Sequence, residues 1–155
     1  MKKLIPAILM LSTILIGSCN RNSANLGSWS FKSQSYSATI NQTGTNYLTS
    51  ISSLSSTGNN PEISVYFKNA LPTAPGSYTV GAGIYPTATN EVGITLNNPS
   101  GSMYKIYNSS GHNSSEAVYV SLSGNKLSVS GANIMLVNTQ DATDSAFVTF
   151  NINQQ

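Results

Sequence analysis

The sequence predicts an all-β fold, an antiparallel β-sandwich of about nine or ten short strands, with a β-barrel as the alternative. Three observations lead there. Apolar and polar residues alternate over much of the chain, as where Ile63, Val65 and Phe67 stand between Glu62, Ser64, Tyr66 and Lys68, and residues two apart on a strand share a face. Clusters of Gly, Asn, Ser and Pro break that alternation at intervals of roughly 8 to 12 residues, the spacing of short strands joined by turns. No segment beyond the leader carries a helical period, and no internal repeat suggests a propeller or solenoid.

The leader comes first. Lys2 and Lys3 form a positive start, and residues 4–16 are an apolar run broken only by Pro6, Ser12 and Thr13, as in a secretory signal peptide. A membrane-spanning helix takes about 20 apolar residues to cross roughly 30 Å of hydrocarbon, so this run is too short. Gly17 and Ser18 supply the small pair a signal peptidase needs, and residues 1–18 are expected to be removed. The residues Ile16, Gly17, Ser18 and Cys19 resemble the lipobox of bacterial lipoproteins, with a branched aliphatic residue three before the cysteine. Cys19 is the only cysteine in the chain. The resemblance implies a diacylglyceryl group on its sulfur and a third acyl chain on its amine. At about 0.8 kcal/mol per buried methylene, two or three chains hold where one exchanges. The alternative is an ordinary signal peptide followed by an incidental cysteine. The expected partner is therefore the membrane, through the Cys19 lipid, and the expected location is the bacterial cell envelope, facing the periplasm or the cell surface.

Residues 19–28 read as the lipidated cysteine and a flexible polar tether. Residues 29–155 read as one β-sandwich domain, large enough to hold together without disulfide or metal.

Trp29 and Phe31 start the alternation, and Tyr36, Ala38 and Ile40 continue it after a polar break at 32–35. Residues 47–54 form a less regular strand, 57–61 a strong turn, and 62–68 the clearest half-buried strand. Pro72 and Pro75 lack the ladder N–H, so 71–76 is a loop delivering the strand 77–80. Val92, Ile94 and Leu96 make the next strand, 97–101 turns, and 103–107 pairs beyond it. After a polar loop at 108–115 come Val118, Val120 and Leu122, then Ser123, Gly124 and Asn125, then Leu127 and Val129, the pattern of a tight hairpin. Strands at 134–137 and 146–152, separated by a loop at 138–145, complete the set.

Charge narrows the function. Without the leader, Arg21, Lys32, Lys68, Lys105 and Lys126 balance Glu62, Glu91, Glu116, Asp141 and Asp144. The cations are dispersed singly along the sequence, whereas nucleic-acid binding needs clustered Lys and Arg, so no nucleic acid is expected as a partner. Charged residues make up 8% of the chain against about 25% in an average domain, so the abundant Ser, Thr and Asn must supply solubility.

Catalytic patterns are scarce. Glycoside hydrolysis needs two carboxylates across a cleft, and Glu62, Glu91 and Glu116 read as solvated acids beside strand starts or in a loop. Asp141 and Asp144 offer too few oxygens for calcium, which takes six to eight. His112 is the only histidine and reads as a surface loop residue, so a multi-histidine zinc site is excluded. No Gly-x-Ser-x-Gly elbow is present. The expectation is a non-enzymatic protein with no cofactor and no metal.

The residues that invite a ligand are tyrosines out of phase with the core. Tyr66 lies between Val65 and Phe67, and Tyr119 between Val118 and Val120, so both are expected to point outward, with Tyr85, Tyr104 and Tyr107 near loops. An exposed tyrosine offers a flat apolar face and a polar tip, suited to a sugar ring or a protein partner. The competing reading is that tyrosine simply favours strands, or that the second face is also covered.

Three stretches, Trp29-Ser-Phe31, the run from Leu71 through Gly76 to Val80, and the run from Gly124 to Gly131, together look like the small lipoproteins common in Bacteroidota. That resemblance implies a lipid-anchored β-sandwich at the envelope and brings no activity with it. Asp144-Ser145-Ala146 also resembles the three-residue O-glycan acceptor pattern of that group, which implies that Ser145 sits on an exposed loop. The expected function is a lipid-anchored binding or structural module with a glycan or an envelope protein as its partner. A glycan-binding surface lipoprotein is the sharper version, and a hydrolase with an unrecognised site the rival.

Overall fold

A computed structural model describes residues 25–44, 48–56, 60–100 and 103–155. Among them the chain forms eleven strands: β1 (Gly27–Phe31), β2 (Gln34–Ser37), β3 (Ile40–Gly44), β4 (Thr49–Leu54), β5 (Glu62–Phe67), β6 (Gly76–Val80), β7 (Glu91–Ser100), β8 (Met103–Ser109), β9 (Ala117–Ser123), β10 (Lys126–Asn138) and β11 (Asp141–Asn153). The leader, Cys19 and Tyr47 lie outside the described residues, as does most of the turn expected at 57–61.

The all-β expectation holds, and sandwich and barrel turn out to be two aspects of one architecture. Strands β3-β4-β5-β7 and β2-β1-β11-β10 form two runs. β7 approaches β10, and β4 approaches β11, across a single apolar core. Along one edge of β10, β9 pairs with residues 126–131 and β8 with 136–138. Along one edge of β7, β6 pairs at residues 91–92 and β8 at 95–100. Because β6 also pairs with β9, the circuit β7-β8-β10-β9-β6 closes into a five-stranded barrel. The molecule is thus a sandwich shut on one side, with β2 and β3 as the free edges of the other.

Alternation builds the core as expected. Ile63, Val65, Phe67, Val92, Ile94 and Leu96 from one run meet Trp29, Phe31, Val129, Ile134, Val148, Phe150 and Ile152 from the other, all buried. Trp29 stacks on Tyr36 with ring centroids 5.5 Å apart, and Phe31 meets Tyr107 edge-on at 4.8 Å. These aromatic contacts add about 0.5–1.5 kcal/mol each beyond the area they bury.

Several boundaries differ from expectation. The paired β1 begins at Gly27, opposite Ile152, so the end of the expected tether belongs to the sheet. The continuous strand expected through Ile40 bends at residues 38–39 and crosses from one run to the other, and Ile40 is 53% exposed at the start of β3. The expected turn at 97–101 is a continuation of β7, where Asn97 pairs with Ile106 and Ser100 with Met103. β10 is one long strand instead of two, and the Gly131/Ile134 irregularity lets it bend without breaking. β11 begins at Asp141, so the loop expected at 138–145 shrinks to a two-residue turn. One pairing, β6 with β7, is parallel in an otherwise antiparallel sheet. Hydrophobic period finds strands but does not register polar ones, and β2, β3 and the start of β11 are mostly polar.

Candidate functional site

Two places bring polar side chains together: the outer face of the β10 run, and the end of the core beside β8.

On the outer face, register aligns residues that point away from the core. Ser37 lies opposite Ser28, Ser28 opposite Asn151, Asn151 opposite Ser130, Ser130 opposite Tyr119, and Tyr119 opposite Ser77. This row crosses six strands. Tyr119 is 60% exposed within it, as expected from its phase between two buried valines. Over β2, β1 and β11 the same face carries a shallow, open depression. A groove of about 490 Å³ is bordered by Ser28, Ser30, Ser35, Ser37, Thr149 and Asn151, with Trp29, Tyr36 and Phe150 in its floor. The rings of these three point into the core, so their backbone forms the floor and the outward residues set the chemistry. Phe147, also out of phase with buried neighbours, stands 55% exposed on this face. Phe147 is not among the tyrosines singled out from sequence, although the phase that marks Tyr119 marks it too.

Tyr66 does not join Tyr119. Their strands are separated by β6 and β7, and Tyr66 is half-buried and in contact with neighbouring groups instead of open to solvent. Its cross-strand partner is Gly93, over which the backbone of Gly83 and Ile84 passes. A segment of loop covers this outer face, so the pair of tyrosines does not make one surface. Tyr85 is exposed on that loop, while Tyr107 is 1% exposed and belongs to the core.

At the end of the core, Asp144 gathers four donors. Its Oδ1 pairs with the Lys32 ammonium. Its Oδ2 accepts from Lys105 at 2.8 Å, from the Tyr107 hydroxyl at 2.9 Å and from the Asn138 amide at 3.2 Å. Lys32 also donates to the Tyr107 hydroxyl at 2.9 Å and sits 4.8 Å from the centre of that ring. Lys32 and Ser33 form the β1–β2 turn with φ of 49° and 61°, left-handed values that favour Asn and Gly. That turn directs Lys32 back over the end of the core. The two lysines, dispersed in sequence, therefore converge in space. Hydrogen bonds from Lys105, then Lys32 and Tyr107, hold the Asp144 carboxyl well below the usual carboxylate range. Burial disfavours the Lys32 ammonium, but its bonds to Asp144 and Tyr107 outweigh that and raise its pKa. The bond to Asp144 raises Lys105 in the same way.

The remaining acids have structural partners. Glu91 accepts from the Thr87 side chain and from the backbone N–H groups of Thr87 and Ala88, chiefly the first of which lowers its pKa. Asp141 is lowered by Thr143, which donates to it from hydroxyl and backbone. Glu62 accepts from Ser64 at 3.2 Å. Glu116, expected in solvent, is 7% exposed, and its Oε1 accepts the Met135 N–H. Ser145 is exposed as expected, but on β11 opposite Val137 and not on a loop. His112 is an exposed loop residue. Among the described residues no three His, Cys, Asp or Glu side chains are grouped so as to hold a metal ion.

Comparison with protein-family models, curated proteins and solved structures finds no match to this chain.

Proposed function

We propose that the mature chain is a lipid-anchored protein of the bacterial cell envelope whose β domain is a non-catalytic binding module. The observation that carries the binding reading is Tyr119, well exposed in mid-row between Ser77 and Ser130 on a face of small hydroxyl and amide groups. Such a tyrosine offers apolar area at low entropic cost, and the neighbouring hydroxyls give direction. The acids have taken other work. Asp144 ties the β1–β2 turn to β8 and β11, Glu91 organises the turn before β7, and Glu116 holds β10 just past its bend. The anchor rests on the leader and Cys19.

The test is retention on a glycan panel and on envelope extracts, using the mature chain carrying Cys19→Ala to keep it in solution. Saturable binding is expected, weakened at least tenfold by Tyr119→Ala and unchanged by Tyr66→Ala. Equal binding by the Tyr119 variant, or turnover of a panel glycan, would reject the reading.

A further inference from the structure

We infer that the shallow groove on the outer face over β2, β1 and β11 is a binding site for an extended, uncharged polysaccharide segment lying across the strands toward Tyr119. This rests on the binding-module reading and names its ligand.

The chemistry of the groove selects the class. Its border is hydroxyl and amide, from Ser28, Ser30, Ser35, Ser37, Thr149 and Asn151, and contains no Lys, Arg, Asp or Glu. An anionic or cationic ligand would find no counter-charge there. A polyhydroxylated neutral one finds short donors and acceptors in every direction. The volume, about 490 Å³, is spread over an open sheet face, which suits an elongated ligand lying along the surface better than a small enclosed one.

The two sheets then differ in a way that matters. On the outer face of the other run, Ser52 and Ser64 bond to each other at 2.7 Å, and Thr95 bonds to Asn108 at 2.9 Å. Ser52, Ser64 and Thr95 are buried, so that row is satisfied within the protein. Ser28, Ser30, Ser35 and Ser37 hydrogen-bond through their side chains to no other described residue, and all but the half-buried Ser30 are exposed. Of the other two border residues, Thr149 accepts the Asn133 N–H at 3.2 Å and Asn151 accepts from the Ser128 hydroxyl at 3.3 Å, so the free donors and acceptors of the groove are those of the four serines on β1 and β2.

Geometry supplies direction. Neighbouring strands stand about 4.8 Å apart, so the path along the curved sheet from Ser37 to Tyr119 is about 19 Å over four intervals. The repeat of an extended pyranose chain is close to one strand spacing, which lets successive sugars meet successive strands. At the β9 end Tyr119 provides a ring face for one sugar, while the groove at the β2 end grips the others by hydroxyl contacts.

The experiment is calorimetric titration of the mature Cys19→Ala chain with neutral hexasaccharides (β-1,4-gluco-, β-1,4-manno- and α-1,4-gluco-linked), the matching trisaccharides, and hexagalacturonate. Saturable binding of at least one neutral hexasaccharide is expected, with its trisaccharide at least tenfold weaker and hexagalacturonate no tighter. Ser28→Leu and Ser37→Leu each fill the groove from an exposed position far from Tyr119. Each should weaken the hexasaccharide at least tenfold while leaving the thermal midpoint nearly unchanged. Tyr119→Ala should weaken it independently. If Tyr119→Ala weakens binding and neither serine variant does, the groove is rejected and the Tyr119 surface stands. If envelope extracts are retained through Tyr119 but no neutral hexasaccharide binds, or hexagalacturonate binds tighter, the ligand class is rejected. If nothing is retained at all, the binding-module reading itself fails.

Discussion

Glu116 and Met135 are joined by a hydrogen bond of 3.0 Å from the Met135 backbone N–H to Glu116 Oε1. It falls where β10 has no strand partner on that edge. β9 stops pairing at Gly131 and β8 begins at Leu136, and between them Met135 bonds instead to Glu116 and, through its carbonyl, to the Ser110 N–H. A side chain thus substitutes for a missing strand and lets two strands share one edge, which closes the barrel. Glu116→Ala would leave a half-buried N–H without its protein partner, at a cost of about 1 kcal/mol, the low end for an unsatisfied donor. Glu116→Gln keeps the carbonyl acceptor and should cost less. Urea unfolding of both variants measures the difference, and amide exchange at Met135 should quicken in the Ala variant first.

Asp144 should make stability depend on acid. Its folded pKa is depressed below the ordinary 3.8, so the folded state favours the carboxylate. That contribution is complete above the unfolded value and is lost as pH falls below about 4 toward the folded value. Asp144→Asn removes the charge, leaves Lys32 and Lys105 facing each other, and should lower the thermal midpoint at neutral pH. Below pH 4 the gap between the two proteins should narrow. A gap constant from pH 7 to pH 2 would show that the cluster contributes nothing through its charge. The raised lysines act in the opposite sense, since their contribution is full below 10.5 and fades as pH climbs past it.

How much of this was legible in sequence follows from what each residue does. Ile63, Val65 and Phe67 announced β5 because burial on one face forces alternation. Tyr119 was legible for the same reason. Tyr66 shares that phase and still was not free, because the covering segment at Gly83 and Ile84 comes from a loop whose path no period encodes. The ion cluster was illegible because Lys32, Lys105 and Asp144 come from distant parts of the chain, and only the pairing of β1 with β11 and of β8 with β10 brings them together. The groove was hidden among many serines, since facing the same way across three strands is a property of register alone.

The anchor can be tested apart from the domain. Cys19→Ala removes the sulfur that would carry the diacylglyceryl group and leaves the positive start and apolar run of the leader intact. Export should continue, and the protein should move from the detergent phase to the aqueous phase on partition. Loss of two or three chains at about 0.8 kcal/mol per methylene is far more than a neutral β surface can replace. Retention of the variant in the detergent phase would count against the lipid.

Gly93 reports on the loop that hides Tyr66. A Cβ built there would lie 2.6 Å from the Ile84 carbonyl carbon and 2.7 Å from the Gly83 oxygen, both backbone atoms that cannot rotate aside. The glycine is needed for close approach, since its backbone is not in the left-handed region. Gly93→Ala must therefore push residues 83–84 outward or bend β7, at a cost of about 1–3 kcal/mol as for other overpacked sites. β7 is held on both edges, by β5 and by β6 and β8, so the loop should be what yields. Proteolysis within residues 81–90 should quicken and Tyr66 should gain exposure, read by its reactivity toward tetranitromethane, while Tyr119 keeps the reactivity it has in the parent protein. If Tyr66 gained nothing while stability fell, β7 would have moved instead, and the loop would be the stiffer of the two.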